Sequence, residues 1–378
     1  MKRTLLQLII PLFILLPIGL HAQDIHFTQF GAAPLQLNPA FTGAFGGEMR
    51  VIANYRNQWE TVPVPYNTYA FSIDSKIQTL KQYNYFGIGA SVYSDEAGDL
   101  NFKTNSYQLL LSYNIFLGSL SSRRGDFYMR LGFQGGQINQ RFDYDNIHLE
   151  NPDQEIYVDP SISYLDYGLG MLVTYVEPQA YVYGGLSTYH FQRPNVSFYN
   201  QVLPSDITPG ANLSSTAGEA LFQKLNVQFG GDFTTLDGSI SFAPDVLYSR
   251  QFVHQELLVG GYLRFNQFKF KKSKGPTNVN WSVGTWYRVG DALILATKWD
   301  YSNILSFGIS YDMNISNARE ATLGYGALEV SISYMLQTKR TKGAPSHSGG
   351  LRKRVKCPRI SKGPFYENPW YRERGLAR

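Results

Sequence analysis

Three histidines, His148, His190 and His254, are the side chains in the body of this 378-residue chain best suited to moving protons. A nucleophilic centre would also need a serine and an orienting polar group brought beside one of them. The spacing shows no such converging set, and His190, between Tyr189 and Phe191, sits where a strand would end at an interface. Whether a histidine lies within hydrogen-bond reach of a serine is left to the structure. Cys357 is the only cysteine, so it forms no intramolecular disulfide and belongs to no Cys/His metal set. Asp143, Asp145, Glu150, Asp153, Glu155 and Asp159 offer hard oxygens to calcium, but the Asp-x-Asp-x-Asp-Gly spacing is missing, which favours a solvated acidic loop. Gly132, Gly135 and Gly136 would suit a phosphate cradle only ahead of a helix; here they lie inside a strand pattern. The sequence therefore predicts neither a catalytic residue nor a cofactor.

The elements that would position any site are strands. Leu165, Tyr167, Leu169, Met171, Val173 and Tyr175 alternate with Asp166, Gly168, Gly170, Leu172, Thr174 and Val176. After Glu177-Pro178-Gln179 a second run returns from Tyr181 to Phe191. Two alternating runs of about ten residues joined by a tight turn form a hairpin tall enough to cross a bilayer. The same unit recurs, giving strands at 49–59, 66–77, 84–94, 104–116, 126–140, 164–176, 180–191, 222–235, 238–250, 256–269, 279–289, 292–302, 304–315 and 325–336. The period of two is blurred in 180–191 and 256–269. A soluble β-sandwich also alternates. Here, however, the polar face is rich in Gly, Ser, Asn and Gln with few charges, as a barrel lumen is, and the runs exceed the usual strand length. The predicted fold is all-β: a transmembrane antiparallel β-barrel of about fourteen strands.

Composition agrees. Tyr (27) and Phe (24) are abundant and charged residues make up 17% of the chain, as lipid-facing strands with interfacial aromatic girdles require. Residues 1–22 resemble a secretory signal peptide, with Lys2 and Arg3 before the apolar run Leu5–Leu20 and cleavage expected after Ala22. The mature chain has no apolar run long enough for a transmembrane helix. Charge is unevenly spread: residues 337–378 hold 12 basic and 2 acidic residues, a net +10, whereas 23–336 hold 20 basic and 27 acidic, a net −7.

Four regions follow: signal peptide 1–22, an N-terminal packed or plug segment 23–48, the barrel 49–336 and a disordered basic tail 337–378. The segment is too apolar to hang free, and its Asn38-Pro39 and glycines favour turns. Trp59, at the end of the first strand, fits an aromatic girdle, with Arg56 turned into the lumen; the alternative is a docking rim that includes Tyr55. In the tail, Arg352, Lys353, Arg354 and Lys356 would steer an acidic partner, and Phe365, Tyr366, Trp370 and Tyr371 would anchor it. Anionic lipid or simple solubilisation are the alternatives for the tail; its charge alone would permit nucleic acid, but a secretory leader argues against that partner. Long insertions, Asp143 to Ser163 and Pro194 to Leu221, belong outside the cell and short turns in the periplasm. An even strand count then predicts an outer-membrane protein with both termini periplasmic.

Phe27-Thr28-Gln29-Phe30, Leu37-Asn38-Pro39-Ala40-Phe41-Thr42-Gly43, Tyr55-Arg56-Asn57-Gln58-Trp59 with Ser72-Ile73-Asp74, and Gly184–His190 followed by Pro194-Asn195 carry a resemblance to the PorP/SprF family. These are outer-membrane proteins of the type IX secretion and gliding machinery of Bacteroidetes. The resemblance covers residues 23–336, is most specific in the N-terminal block, and leaves the tail outside it. It implies a non-enzymatic barrel that works with a periplasmic ring, a peptidoglycan-binding linker, and surface adhesins bearing a C-terminal sorting domain. Partner contacts are expected at Asn38, Pro39, Tyr55, Arg56, Trp59 and the tail residues above, besides outer-membrane lipid. A porin-like channel for small solutes is the alternative, and it requires an open lumen.

Overall fold

The computed structural model describes residues 27–59, 65–79, 83–98, 101–120, 125–142, 161–177, 179–196, 220–269, 278–302, 304–316 and 325–336. Residues 1–26, which include the expected leader, the acidic run 143–159 and the whole basic tail lie outside the described residues. Fourteen strands follow one another in chain order: β1 (Met49–Gln58), β2 (Tyr66–Gln78), β3 (Tyr85–Ala97), β4 (Phe102–Leu120), β5 (Gly125–Arg141), β6 (Ser161–Val176), β7 (Ala180–Tyr189), β8 (Lys224–Thr234), β9 (Ile240–Gln251), β10 (His254–Lys269), β11 (Asn278–Arg288), β12 (Ala292–Tyr301), β13 (Leu305–Asn314) and β14 (Tyr325–Leu336). Each pairs antiparallel with its sequence neighbours, and β1 closes on β14 with Val51 opposite Tyr334 and Arg56 opposite Glu329. Closure leaves no strand edge unpaired, which a bilayer demands of any sheet.

Alternation decides which side each residue faces. Phe86, Ile88, Leu109, Leu111, Leu131 and Leu295 are exposed on the outer wall, while their neighbours in sequence are buried inside, and Leu169, Phe229 and Ile332 are exposed on the same wall. In a membrane that outer wall meets acyl chains rather than water. No described helix is long and apolar enough to span a membrane.

Several strands outrun their expected limits. β4 and β5 reach Leu120 and Gly125 because the ladder slips between Phe116 and Gly118, and Gly118 takes φ +138°. A bulge of this kind breaks the period of two while the pairing continues. β6 starts at Ser161, so the first insertion is shorter than expected, and β7 stops at Tyr189 because His190 turns to φ 55°. In β7 the inward Tyr181, Tyr183 and Tyr189 are as bulky as the outward side chains. That is why its alternation was blurred in the sequence although its burial pattern is regular.

β1 starts and β14 ends at one end of the barrel, which also carries the short β6–β7 and β8–β9 connections. Both long insertions leave from the other end, and the second is closed at its root by the Asn195–Ala220 bridge and the Leu221 amide on the Pro194 carbonyl. These are the short-turn end and the long-loop end below. Residues 27–47, ahead of β1, lie in the interior.

Candidate functional site

Residues 27–47 run through the lumen, and the turns they make come from local chemistry. Pro34 occupies the first turn of helix α1 (Pro34–Leu37), where its missing N–H leaves nothing unpaired. Asn38 then caps a 3₁₀ turn over Pro39–Phe41, its Oδ1 accepting the Ala40 amide at 2.9 Å, with Pro39 again in the first turn. The other end of the same side chain donates to the wall, Nδ2 lying 3.2 Å from the Met171 carbonyl and 3.1 Å from that of Leu186. One residue thus fixes the turn and docks it.

The wall answers with small or polar inward residues. Ser187 Oγ and Asn226 Nδ2 donate to the Leu37 carbonyl at 2.7 and 3.2 Å, and Ser112 Oγ donates to that of Thr42 at 2.7 Å. Gly132 and Gly170 make room. A Cβ on Gly132 would lie 2.2 Å from the Ala40 nitrogen, and one on Gly170 2.0 Å from Asn38 Oδ1. Gly132, considered for a phosphate loop, is the seat of the Asn38–Pro39–Ala40 turn. Phe41 presents its edge to Tyr183 at 5.9 Å, and Leu35, Leu37, Ala40, Ala44 and Phe45 are buried against the inward apolar side chains.

Charged clusters hold the segment at both ends. Near the long-loop end, Glu329 accepts the Thr28 and Gln29 amides on its two oxygens, at 2.7 and 3.3 Å. Thr28 Oγ1 donates to Asp312 at 2.9 Å. Arg56 bridges Asp312 and Glu329 at 3.4 and 3.5 Å and also contacts Thr28 Oγ1. Arg288 joins Asp312, Glu256 and Asp291 at 3.1 to 3.3 Å. Near the short-turn end, Arg50 grips Asp74 with two bonds of 2.9 and 2.8 Å, and Asp74 Oδ2 also accepts the Gly43 amide at 2.8 Å. The Arg50 guanidinium lies 4.8 Å over the Phe45 ring, and Lys76 donates to the Phe45 carbonyl. Such a buried pair adds little net stability over apolar side chains of the same volume, but loss of one partner strands the other's charge.

The residues expected to contact partners are thereby separated. Asn38 and Pro39 are buried at mid-lumen and Arg56 is buried in the upper cluster. Tyr55 faces outward, tilted on Tyr69 at 5.0 Å, its hydroxyl donating to Asn67 at 3.1 Å. Trp59, at φ 60°, sets its ring edge-on to Tyr66 at 5.0 Å. The tail residues Arg352, Lys353, Arg354, Lys356, Phe365, Tyr366, Trp370 and Tyr371 fall outside the described residues. Sequence reasoning missed Arg50, Asp74, Arg288, Asp312 and Glu329; their shared inward parity on β1, β2, β11, β13 and β14 was the available signal. His190 Nδ1 sits 2.7 Å from Asp166, a buried pair facing the lumen rather than an interfacial ring. Among the described residues no His/Cys/Asp/Glu group has the makings of a metal site.

Comparison with known proteins gives a family. The sequence model of the family described as "Type IX secretion system membrane protein PorP/SprF" matches residues 20–334. No curated protein sequence matches. Similar solved structures include the CymD monoaromatic hydrocarbon channel (10% identity, 84% of this chain and 95% of that one, TM-score 0.43). CdiB from Acinetobacter baumannii gives 9% identity over 76% of this chain and 60% of that one, with a TM-score of 0.39. The translocator domain of the autotransporter NalP from Neisseria meningitidis gives 13%, 80% and 94%, with a TM-score of 0.32.

Proposed function

The chain belongs to the PorP/SprF family of type IX secretion system membrane proteins, and from that premise we propose that it is a non-enzymatic outer-membrane component linking secretion or adhesin display to periplasmic machinery. The match over residues 20–334 carries this reading. The lumen adds to it: a segment bonded along its whole length to the barrel wall suits a rigid docking body better than a conduit. The proposed partners are other type IX components, a periplasmic ring or its peptidoglycan-binding linker, and a surface adhesin with a C-terminal sorting domain. Tyr55 lies on the outer wall near the long-loop end, where a membrane partner would meet it, and Trp59 follows β1 at the same end with its ring against Tyr66. Asn38, Pro39 and Arg56 would act through the segment they hold. β14 ends at the short-turn end, so the basic tail is proposed to enter the periplasm, with Arg352, Lys353, Arg354 and Lys356 steering an acidic partner and Phe365, Tyr366, Trp370 and Tyr371 anchoring it.

Crosslinking and pull-down from native membranes tests this by comparing the full-length chain with one ending at Gln337. Loss of periplasmic partners on truncation is expected. An unchanged set would move the interaction to the barrel and its segment and defeat the tether. The porin-like alternative requires residues 27–47 to leave the lumen, and steady conductance of the intact chain in planar bilayers would establish it.

A further inference from the structure

The direction in which the N-terminal segment threads the barrel can be read along a single strand. Thr28 meets Arg56, two residues short of the end of β1; the Ala32 carbonyl accepts Asn54 Nδ2 at 3.3 Å; and the Phe41 carbonyl accepts Arg50 Nη2 at 3.4 Å. The contacts descend β1 as the sequence number rises. The groups that hold Thr28 and the Gln29 amide lie toward the same end: Arg56 on β1, Asp312 two residues before the end of β13, and Glu329, the fifth residue of β14. The Gln29 side chain reaches further down, to Tyr262 on β10 and Ser331 on β14, both at 3.5 Å. Gly43 and Phe45, bound to Asp74 and Lys76, lie at the opposite end, where β1 begins. The segment therefore crosses the lumen once before the first strand starts.

From this threading we infer that the chain enters its own barrel from the long-loop end, so that the residues ahead of Phe27 lie on that side of the membrane and the basic tail lies on the other. Strand parity places only the start of β1 and the end of β14 together. It says nothing of a chain that has already passed through. Reach makes the point quantitative. From the level of Arg56 to that of Arg50 is six residues of strand, about 20 Å. The three residues from Asp24 to His26 span at most about 10 Å, and the way back is filled by Leu35, Leu37, Phe41 and Phe45. The double amide grip of Glu329 on Thr28 and Gln29 fixes the point from which they start. The inference rests on the barrel and its contents, not on the secretion role proposed above.

The chain carries its own probe, since Cys357 is the only cysteine and lies in the tail. Asp24→Cys and, as a loop marker, Asn151→Cys are each placed in a Cys357→Ser background. Cells carrying these chains or the unaltered one are treated with a bulky membrane-impermeant polyethylene-glycol maleimide, before and after permeabilisation of the outer membrane. A heat-dependent mobility shift on gels confirms each folded barrel, and Ile25→Cys replaces Asp24→Cys where processing is altered. Residue 24 should react under the same condition as residue 151, and Cys357 under the other. Residue 24 following Cys357, Cys357 following residue 151, or residue 24 reacting only in the unfolded chain would each overturn the inference. Because Cys357 and residue 151 are read separately, a wrong inside–outside assignment of the tail is distinguished from a wrong threading direction.

Discussion

Asp74→Ala should be among the most destabilising single changes in the barrel, and its size follows from what surrounds it. Both Asp74 and Arg50 are buried, and the carboxylate takes two short bonds from the guanidinium and one from the Gly43 amide. Removing it leaves a buried cation whose remaining contacts are a 3.4 Å bond to the Phe41 carbonyl and the Phe45 ring. Breaking one side of a buried pair costs about 3–5 kcal/mol, roughly two to three and a half powers of ten in the unfolding equilibrium. Replacing both partners by apolar side chains, Arg50→Met with Asp74→Leu, removes the stranded charge. It leaves only the Gly43 amide without its acceptor, a loss of about 1–3 kcal/mol. The double variant should therefore be more stable than the single one. Urea unfolding in lipid vesicles reads the difference by linear extrapolation, with the outward indoles of Trp281 and Trp299 reporting loss of lipid contact. A single variant within about 1 kcal/mol of the parent, or a double variant at least as unstable as the single one, would refute the reasoning.

Three further outcomes are expected. Gly132→Ala drives a Cβ into the Ala40 backbone, so the segment should shift at about 1–3 kcal/mol and open conductance events should rise; Gly184→Ala, which meets only the edge of an outward Phe229 ring, should leave conductance unchanged. Leu109→Arg, at a side chain 70% exposed midway along β4, should cost about 2–4 kcal/mol in a bilayer, and Gln137→Arg, near the end of β5, no more than about 1 kcal/mol by the same vesicle assay. In the β8–β9 turn the Thr235 hydroxyl, then the Ser239 hydroxyl and amide, hold the Asp237 carboxyl down at about 2. A carboxyl depressed in the folded turn contributes its stability above its ordinary value near 4 and loses it as the pH falls towards 2. Protection of the Ser239 amide from hydrogen exchange should fade over that window and be absent throughout in Asp237→Ala.

What the sequence disclosed follows from which forces are local. The outer wall was legible because lipid imposes one rule on every outward position, so Leu165, Leu169 and Val173 announce themselves without reference to any partner. The packing of residues 27–45 has a local signal, since Phe27, Leu35, Leu37, Phe41 and Phe45 are too apolar for water. Its path has none. Gly132 and Gly170 read as ordinary sheet glycines until the segment lies against them, and their role depends on contacts across some 90 to 130 residues of chain. The charged clusters were hidden for the same reason. Arg50, Asp74, Asp312 and Glu329 each look like an isolated charge in a polar stripe, and only closure of β1 on β14 sets Arg56 opposite Glu329.

That closure also constrains how the fold can form. Glu329 stands on the last strand, yet it holds the amides of Thr28 and Gln29, the first described residues to be anchored. The upper clamp cannot exist until β14 has arrived, whereas the lower one, made by Arg50 on β1 and Asp74 on β2, needs only the first hairpin. The segment is thus held at its short-turn end early and at its long-loop end last. Contacts of small sequence separation form before those of large separation, because the loop that must close is shorter. Glu329→Gln and Asp74→Ala should therefore part company in kinetics. Loss of a contact made only at closure speeds unfolding and leaves folding nearly unchanged, whereas loss of the hairpin clamp also slows folding. Folding into vesicles, followed by the mobility shift of the closed barrel, separates them. Equal slowing by both variants would mean that the segment is captured in one step, after the wall has closed around it.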